Sequence, residues 1–326
     1  MWPVAKSGSN GSTSVETTGH LSVRGLRNAG RCAICSLCMA RQLSVPFAGE
    51  RVTTSNRRTW LRLTTSGAVL FGPGRAALIY AGRRGDRRLL HTLERRWARA
   101  ATAALGMQID IRGLDLVDPD ERYVVTPLHE SFADALCLLR LPLDLTFATR
   151  DELYDWRTLG PYLTASGQTR IPTADGPAAY RALLNGARRA FDTGESFVVF
   201  PQGTILGIEA AFRPGAFRIA ERLRRPVLPV VISGTHLVWE HPYTPKVRIG
   251  VRVWVEVLDP IPAESIAGRA GGVEREMKQR ALASGIAPRR FEPDRDGWWA
   301  EYPYEIDSDF PELARRVAAH RSEVGR

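Results

Sequence analysis

The chain has 326 residues, of which 44% are hydrophobic and 25% are charged, so most of it is expected to fold as one large domain or two small ones. Its formal net charge of +10 lies in residues 1–125, which hold 19 Lys and Arg against 9 Asp and Glu, whereas the rest of the chain holds 26 of each. A basic N-terminal part on a neutral body favours a partner with an anionic surface. The sequence contains no uninterrupted run of 18 apolar residues, so it does not predict a membrane-spanning helix.

Residues 1–58 are polar, irregular and poor in aromatic side chains, so the sequence predicts a disordered extension. Within it, Cys32, Cys35 and Cys38 form a C-x-x-C-x-x-C cluster whose thiols could ligate a metal ion or an iron–sulfur cluster. The cluster lacks a nearby fourth cysteine followed by proline, and we interpret it as a chance grouping, with a metal or iron–sulfur module as an alternative. Four cysteines in so long a chain favour a reducing compartment over a disulfide scaffold.

Residues 59–106 are predicted to form a basic amphipathic helical segment. Between residues 86 and 105, leucine, tryptophan and alanine recur at helical spacing, and five arginines cluster around the other side. A surface helix packed on a domain and a helix lying in a membrane interface both fit this pattern. The apolar stretch at residues 67–81 favours the membrane, where arginine would meet anionic head groups.

From residue 107 the pattern alternates between short apolar strands and amphipathic helices. It predicts an α/β fold, a mixed β-sheet flanked by helices, over residues 107–263, with residues 264–326 as an extension packed on the domain. The predicted strands cover residues 107–117, 123–126, 143–149, 196–200, 226–233 and 246–261, the last as one or two strands. The predicted helices begin at Asp134 and cover residues 176–194 and 215–225.

His129 follows the strand that ends at Thr126, and Asp134 lies five positions after this histidine. In one interpretation, Ser131 and Asp134 only begin a helix, because they have the S-x-x-D spacing of an N-terminal cap. In the other, His129 lies in the loop after a strand, where α/β folds place active sites, and Asp134 fixes its tautomer and stabilises its imidazolium. Such a pair is a general base for an oxygen nucleophile.

Two further blocks follow in the chain. F-P-Q-G-T at residues 200–204 opens a loop after a buried strand, where Gly203 lets the backbone approach a ligand closely. P-V-L-P-V-V-I at residues 226–232 follows the next helix. The H-x-x-x-x-D block and these two blocks occur in the order seen in the glycerolipid acyltransferase family, the relatives of lysophosphatidic acid acyltransferase. The chain resembles this family over about residues 107–262.

The resemblance implies an O-acyltransferase that moves an acyl chain from acyl-CoA or acyl-ACP to a hydroxyl of a lysophospholipid or another lipid acceptor. His129 would be the general base and Asp134 its orienting carboxylate. The residues implied in substrate binding are Arg170, Pro201, Gln202, Gly203, Thr204, Arg213 and Pro229, the last on the acyl-donor side. No metal or other cofactor is implied beyond the acyl thioester, which is a co-substrate.

The resemblance and the basic segment together imply a set of partners and a location. The partners would be the acyl thioester donor, the lipid acceptor and a membrane surface, but not nucleic acid, because no nucleic-acid-binding module is recognisable. The location would be peripheral, on the cytoplasmic face of the cell membrane.

Three positions depart from the family pattern. Leu128 replaces the asparagine before the histidine, Gln202 replaces the glutamate of F-P-E-G-T, and Ile205 stands where arginine often follows. These changes favour a neutral or bulky lipid alcohol over a small phosphate-bearing acceptor. They also leave an alternative open, a non-catalytic homologue that binds acyl thioesters or lipids. His236 and His241, in the loop after the last block, could line the acceptor site but are rather expected at the surface.

Overall fold

The computed structural model describes residues 41–44, 51–54, 57–172, 176–239, 247–291 and 304–323, all within a compact unit from Ala40 to Arg326. Its first elements are the strands β1 (Arg41–Ser44) and β2 (Arg51–Thr54), which pair antiparallel. Both strands lie within residues 1–58, for which the disordered extension remains a prediction. The cysteine cluster at residues 32–38 lies outside the described residues.

Three helices follow, α1 (Arg57–Phe71), α2 (Pro73–Arg83) and α3 (Arg87–Ala104). The break between the first two falls at Gly72, where a Cβ would lie 2.3 Å from the carbonyl oxygen of Ala68, and Pro73 then starts α2 at a position that suits proline. None of the described helices is both long and apolar enough to cross a bilayer.

The inward face of α3 contains charged groups as well as the apolar ones that the spacing predicted. Leu90 and Ala98 are buried, and so are His91 and Glu94, whereas Leu89 is exposed. The helical spacing therefore identified the helix correctly but not its full buried face, because two charged residues pack inside.

The buried charges of α3 form a network with the sheet. His91 lies 2.8 Å from Glu94 and 3.0 Å from Glu195, and Arg87 donates to both carboxylate oxygens of Glu195 at 2.6 and 2.5 Å. Burial works against the imidazolium of His91, but the two carboxylates outweigh it and raise its pKa to about 9. Burial likewise opposes the Glu195 carboxylate, but hydrogen bonds from His91, Arg87 and Thr146 lower its pKa to about 2.

A seven-stranded sheet forms the centre of the described structure, in the spatial order β3-β9-β8-β4-β7-β5-β6. β9 runs antiparallel to β8, and the other neighbouring pairs are parallel, so the predicted mixed sheet is confirmed. The strands are β3 (Gln108–Arg112), β4 (Val124–Pro127), β5 (Leu145–Arg150), β6 (Thr169–Ile171), β7 (Ser196–Val198), β8 (Val227–Ser233) and β9 (Arg252–Val257). Residues 246–261 thus supply one strand, not two.

The core lies on both faces of this sheet. Successive residues of β4 point to opposite faces, so that Val125 joins one apolar cluster and Val124 the other, and β7 divides Val198 and Phe197 in the same way. Because both faces are covered, the central strands are apolar throughout rather than alternating. This is why they appear in the sequence as continuous hydrophobic runs.

Seven further helices lie within the described residues, and the parallel strands determine where the loops meet. The carboxyl ends of β4, β7 and β8 lie at one edge of the sheet, where the loops with His129, Gln202 and Thr235 emerge. The helices are α4 (Ala133–Leu138), α5 (Gly160–Ser166), α6 (Gly176–Asp192), α7 (Gly215–Leu223), α8 (Thr235–Val238), α9 (Ala270–Ala283) and α10 (Pro311–Glu323).

The segment that contains α10 lies against the loop after β7. The N–H of Ala211 donates to the carbonyl of Glu305, and the N–H of Asp307 donates to the carbonyl of Glu209, both at 2.9 Å. From α9, the buried ammonium of Lys278 donates to the Ala210 carbonyl at 2.9 Å and pairs with Asp307. The domain boundaries at residues 106 and 263 remain predictions.

Candidate active site

A histidine and an aspartate meet where β4 ends and α4 begins. Nδ1 of His129 lies 2.7 Å from Oδ2 of Asp134, and the same carboxylate oxygen accepts the backbone N–H groups of Glu130 at 2.8 Å and Ser131 at 3.0 Å. The other oxygen, Oδ1, accepts the hydroxyl of Thr235 from the start of α8. Asp134 is fully buried, so these donors replace the water that a carboxylate would otherwise bind.

Asp134 lies in the first turn of α4, but the N-cap residue of this helix is Phe132, not Ser131 as one interpretation expected. The hydroxyl of Ser131 accepts the N–H of Ala133 at 3.1 Å, and Asp134 accepts the N–H of Ser131, so both side chains bond to the backbone where α4 begins. The same carboxylate also binds the imidazole. We assign the Nδ1 proton of His129 to the bond with Asp134, which leaves Nε2 as the acceptor.

The imidazole of His129 is reachable but partly covered. Its side chain is 18% exposed, and the ring of Phe200 stacks on it with the centroids 3.8 Å apart and the planes at 22°. Phe200 lies two residues after β7 and begins the second block. One face of the imidazole is thus shielded by the neighbouring loop, which fixes the orientation of the ring.

The side chain of Gln202 joins the loops that follow β4 and β7. Its Oε1 accepts the backbone N–H of His129 at 2.7 Å, and its Nε2 donates to the carbonyl of Gly207. The N–H of Gly207 in turn donates to the carbonyl of His129 at 2.9 Å. Gln202 is buried, so it is a structural link under the histidine and not an exposed substrate contact.

The backbone of the second block turns sharply at Gly203, which has φ +69°. Its N–H donates to the carbonyl of Phe200 at 3.1 Å, and the N–H of Arg213 donates to Pro201 at 2.8 Å, so both groups serve the turn itself. Next to them, the hydroxyl of Thr204 is buried and has no hydrogen-bond partner among the described residues. It is the polar group of this loop that is left to meet a ligand.

Two arginines lie beside Gly203. Nη1 of Arg150, at the end of β5, is 3.5 Å from the carbonyl oxygen of Gly203, and a Cβ on Gly203 would lie 3.7 Å from Nε of Arg213. Reduced hydration and the nearby charge of Arg150 lower the pKa of Arg213, while Glu305 acts in the opposite direction. Two guanidinium groups therefore lie at this loop, and that of Arg150 also pairs through Nε with Glu152 at 2.8 Å.

Sequence reasoning missed Arg150 because the residue is in none of the blocks. The signal that could have found it is its place at the carboxyl end of β5, which runs parallel to β7 and therefore ends at the same edge of the sheet. Thr235 was missed in the same way, although it follows the end of β8. Both residues are placed by strand pairing, which a single sequence does not reveal.

Two of the predicted substrate-binding residues lie elsewhere. Arg170 is on the edge strand β6, exposed, with its guanidinium 5.2 Å from the ring of Tyr154. Three strand spacings separate β6 from β4, which is about 14 Å. Pro229 is buried inside β8, opposite Thr126, and therefore packs within the sheet.

A second histidine–carboxylate pair lies beneath the first. Nδ1 of His236 and the N–H of Gly234 both lie 2.8 Å from Oε2 of Glu130, the residue that follows His129. Both side chains of the pair are buried, so the surface position expected for His236 is wrong. The pair ties the loop after β4 to the loop after β8. His241 lies outside the described residues.

In the described part of the chain no three His, Cys, Asp or Glu side chains are grouped as a metal site. The fourth cysteine, Cys137, is buried in α4, where burial raises the pKa of its thiol.

The histidine–aspartate pair lies in an α/β domain, at the end of the sheet where such folds place active sites. Residues 108–233 match the family model described as Acyltransferase, which agrees with the resemblance found in the sequence. The family match covers the three blocks that carried the resemblance.

Curated relatives and a solved structure agree with the family match. The chain is 28% identical over 138 residues to a 1-acyl-sn-glycerol-3-phosphate acyltransferase of Cocos nucifera (41% of this chain, 44% of the relative), and 28% over 159 residues to one of Limnanthes alba (48% and 55%). It spans about half the length of these relatives. Its fold is similar to that of the 1-acyl-sn-glycerophosphate (LPA) acyltransferase PlsC from Thermotoga maritima, with a TM-score of 0.54, 19% identity and coverage of 70% of this chain and 96% of that one.

Proposed function

We propose that the protein is an O-acyltransferase that moves an acyl chain from a thioester to a hydroxyl of a glycerolipid acceptor. The observation that carries the proposal is the bond between His129 and a fully buried Asp134, inside the region that matches the Acyltransferase family model. Asp134 accepts two backbone N–H groups, a hydroxyl and the imidazole, so the positions of the carboxylate and the ring are fixed relative to each other.

In this proposal, Nε2 of His129 takes the proton of the acceptor hydroxyl as its oxygen attacks the carbonyl carbon of the thioester. A carbon–oxygen bond forms, the carbon–sulfur bond breaks, and the imidazolium returns the proton to the leaving thiolate, so that the products are an ester and a free thiol. Asp134 stabilises the imidazolium between these steps. The buried hydroxyl of Thr204 is the candidate donor to the oxyanion.

The acceptor in this proposal carries a phosphate group, which Arg150 and Arg213 bind beside Gly203. The sequence favoured a neutral lipid alcohol because of its departures from the family pattern, Ile205 in place of an arginine among them, but Arg150 and Arg213 bring guanidinium groups to the loop from other positions. A guanidinium binds phosphate through paired N–H donors. The names of the curated relatives, 1-acyl-sn-glycerol-3-phosphate acyltransferases, agree with an acceptor of this class.

The donor and the location complete the proposal. The donor is acyl-CoA or acyl-ACP, and the enzyme works at a membrane surface, peripherally and on its cytoplasmic side. Supporting a surface role, Leu61 on α1 and Tyr80 on α2 are large apolar side chains that are 60% and 57% exposed. Side chains of this kind enter the interfacial region of a bilayer.

The test is thiol release by the purified full chain from long-chain acyl-CoA and acyl-ACP, with lysophosphatidic acid, glycerol 3-phosphate and a neutral monoacylglycerol as acceptors. His129→Ala should lower acceptor-dependent release by about 10²- to 10⁴-fold, because the general base is lost. His320→Ala, at a half-buried position in the last turn of α10, is the matched control and should release thiol at the rate of the unchanged protein.

The outcomes distinguish the alternatives. Release that survives in His129→Ala would overturn the mechanism. Binding of the acyl thioester without release, for every acceptor and both donors, would make the protein the non-catalytic homologue. Release with the neutral acceptor alone would retain the acyl transfer but remove the phosphate-binding role of Arg150 and Arg213.

A further inference from the structure

A cavity lies at the other edge of the sheet from His129. It is about 450 Å³ in volume and is lined by Arg95, Arg99, Pro119, Arg122, Arg140, Leu141, Pro142, Asp144 and Gly194. We refer to it as the arginine pocket. Its lining loops precede β4, β5 and β7, whereas the active-site loops follow these strands. Arg122 and His129 are seven residues apart across β4, which is about 20 Å.

The charge of the arginine pocket is unbalanced. Four guanidinium groups line it with a single carboxylate, that of Asp144, which pairs with Arg95. In the described part of the chain, Arg99, Arg122 and Arg140 form no ion pair. Three positive charges on one concave surface repel each other, so a bound anion would lower the electrostatic free energy of the pocket.

Two of these guanidinium groups are held in place by neighbouring oxygen atoms. Nη1 of Arg122 donates to the carbonyls of Pro119 and Glu121, both at 3.0 Å, and Nη1 of Arg140 donates to the hydroxyl of Thr102 at 3.3 Å. A guanidinium has five N–H donors, so each of these side chains is oriented by a few bonds and retains others for a ligand. Donors fixed before binding lose little conformational entropy when a ligand binds.

The lining also defines the chemical class of the ligand. It contains no aromatic ring and only a leucine and two prolines as sizeable apolar groups, so neither a nucleobase nor an acyl chain would find a matching surface. Guanidinium groups match phosphate oxygens in geometry and charge. The volume is in the range of small-ligand sites and accommodates a phosphate group with the carbon atoms that carry it.

We propose that the arginine pocket is a second anion site, separate from the active site, which binds the phosphate group of a phosphorylated ligand. The phosphate comes either from a soluble molecule or from the head group of an anionic lipid. α3 supplies Arg95 and Arg99, and the same helix carries the buried network with Glu195, so a ligand here binds to an element that is anchored in the domain.

Binding of inorganic phosphate tests the site, measured by calorimetry on the full chain. All variants are made in an Arg150→Gln/Arg213→Gln background, which removes the phosphate site proposed beside Gly203. The pocket variant adds Arg122→Gln and Arg140→Gln. The control adds Arg88→Gln and Arg96→Gln, which remove the same charge from exposed positions of α3 outside the pocket.

The pocket variant should bind phosphate about 10- to 100-fold more weakly than the background protein, since it loses charge-assisted hydrogen bonds, while the control keeps its affinity. Thermal unfolding and circular dichroism of each variant report whether the fold is retained, and Arg99→Gln, at an exposed position, repeats the test if the double change unfolds the protein. Equal losses in the pocket and control variants, or no phosphate binding in the background protein, would overturn the proposal.

A second measurement distinguishes the two sources of phosphate. Flotation of the same variants with phosphatidylcholine vesicles that contain phosphatidic acid reports binding to a lipid head group. If the lipid is the source, the pocket variant binds these vesicles more weakly than the control. If a soluble molecule is the source, the two variants bind the vesicles equally, and only the affinity for inorganic phosphate differs.

Discussion

At the scale of single residues, the site depends on buried polar groups that each serve two neighbours. Asp134 accepts backbone N–H groups that begin a helix and also binds the imidazole of His129. The identity of each side chain therefore matters beyond its charge. Gln202 illustrates this, because it stands where the family pattern has a glutamate.

Replacing Gln202 by Glu should destabilise the protein, although it restores the family residue. The amide donates to the carbonyl of Gly207 through Nε2, and a carboxylate would place an acceptor against an acceptor in a buried position. We expect a loss of about 1–3 kcal/mol in the free energy of unfolding, measured with denaturant. Gln279→Glu, on the exposed side of α9, should change it by less than about 0.5 kcal/mol. Equal stability of the two variants would contradict this role.

Thr235 should act as a positioning residue for the pair of His129 and Asp134. Thr235→Val removes the hydroxyl that donates to Oδ1 of the buried carboxylate, and we expect kcat to fall about 10- to 100-fold with little change in KM. Thr235→Ser keeps the hydroxyl and should restore most of kcat. A fall in the melting temperature without a fall in kcat would show a purely structural role.

At the scale of elements, buried ionised groups as well as apolar contacts hold α3 against the sheet, and the hydrophobic pattern of the sequence predicted only the apolar contacts. Periodicity detects apolar stripes, and it found this helix, but His91 and Glu94 count as polar in any such pattern. They are buried because Glu195, just before β7, and Tyr162, on α5, supply partners from distant parts of the chain. A residue that is buried only through such partners cannot be recognised from one sequence.

This network predicts how stability depends on pH. The pKa of His91 rises from 6.5 to about 9, so its contribution is complete below pH 6.5 and is lost as the pH rises through 9. The pKa of Glu195 falls from 4.5 to about 2, so its contribution is complete above pH 4.5 and is lost as the pH falls through 2. Both contributions are therefore complete between about pH 4.5 and 6.5.

His91→Gln should remove most of the alkaline decline that this network causes. We expect the free energy of unfolding of the unchanged protein to fall by about 2–3 kcal/mol between pH 6.5 and 9 from this group, and the variant to lack that fall. Denaturant unfolding at several pH values measures both. His320→Gln is the control, and a variant with the same alkaline decline as the unchanged protein would refute the role of His91.

At the scale of the whole molecule, the C-terminal segment supports the loop that carries the second block. Lys278 of α9 joins the Ala210 carbonyl to Asp307, and the backbone of residues 305–307 pairs with residues 209–211. A hydrogen bond from the N–H of Asp309 and the charge of Lys278 outweigh burial and lower the pKa of Asp307. The loop therefore depends on a segment about 100 residues further along the chain.

Asp307→Ala should lower the free energy of unfolding by about 2–3 kcal/mol, because the buried ammonium of Lys278 keeps only Glu274 as a charged partner. The change should also slow thiol release, since the loop of Gly203 and Thr204 is loosened. Asp309→Ala, at an exposed position in the same turn, is the control. Unchanged stability in Asp307→Ala would mean that the ion pair contributes nothing to the fold.

The α/β class, the mixed sheet and most of its strands could be predicted from the sequence, because buried strands are continuous apolar runs between helical patterns. The positions of His129, Asp134 and the second block followed from motifs. Strand order could not be predicted, since periodicity finds elements but not their neighbours. Arg150 and Thr235 join the site only through that order, and Arg170 fails to join it for the same reason.

The position of β9 between β3 and β8 has a consequence for synthesis of the chain. β3 comes first of the seven strands in the sequence, and among the described strands its hydrogen-bonded neighbour is β9, about 140 residues later. At typical ribosomal rates, β3 waits roughly 7–30 s for its partner. During that time the edge of β3 is open to other nascent chains. Its charged side chains, Asp110 and Arg112, disfavour pairing with them.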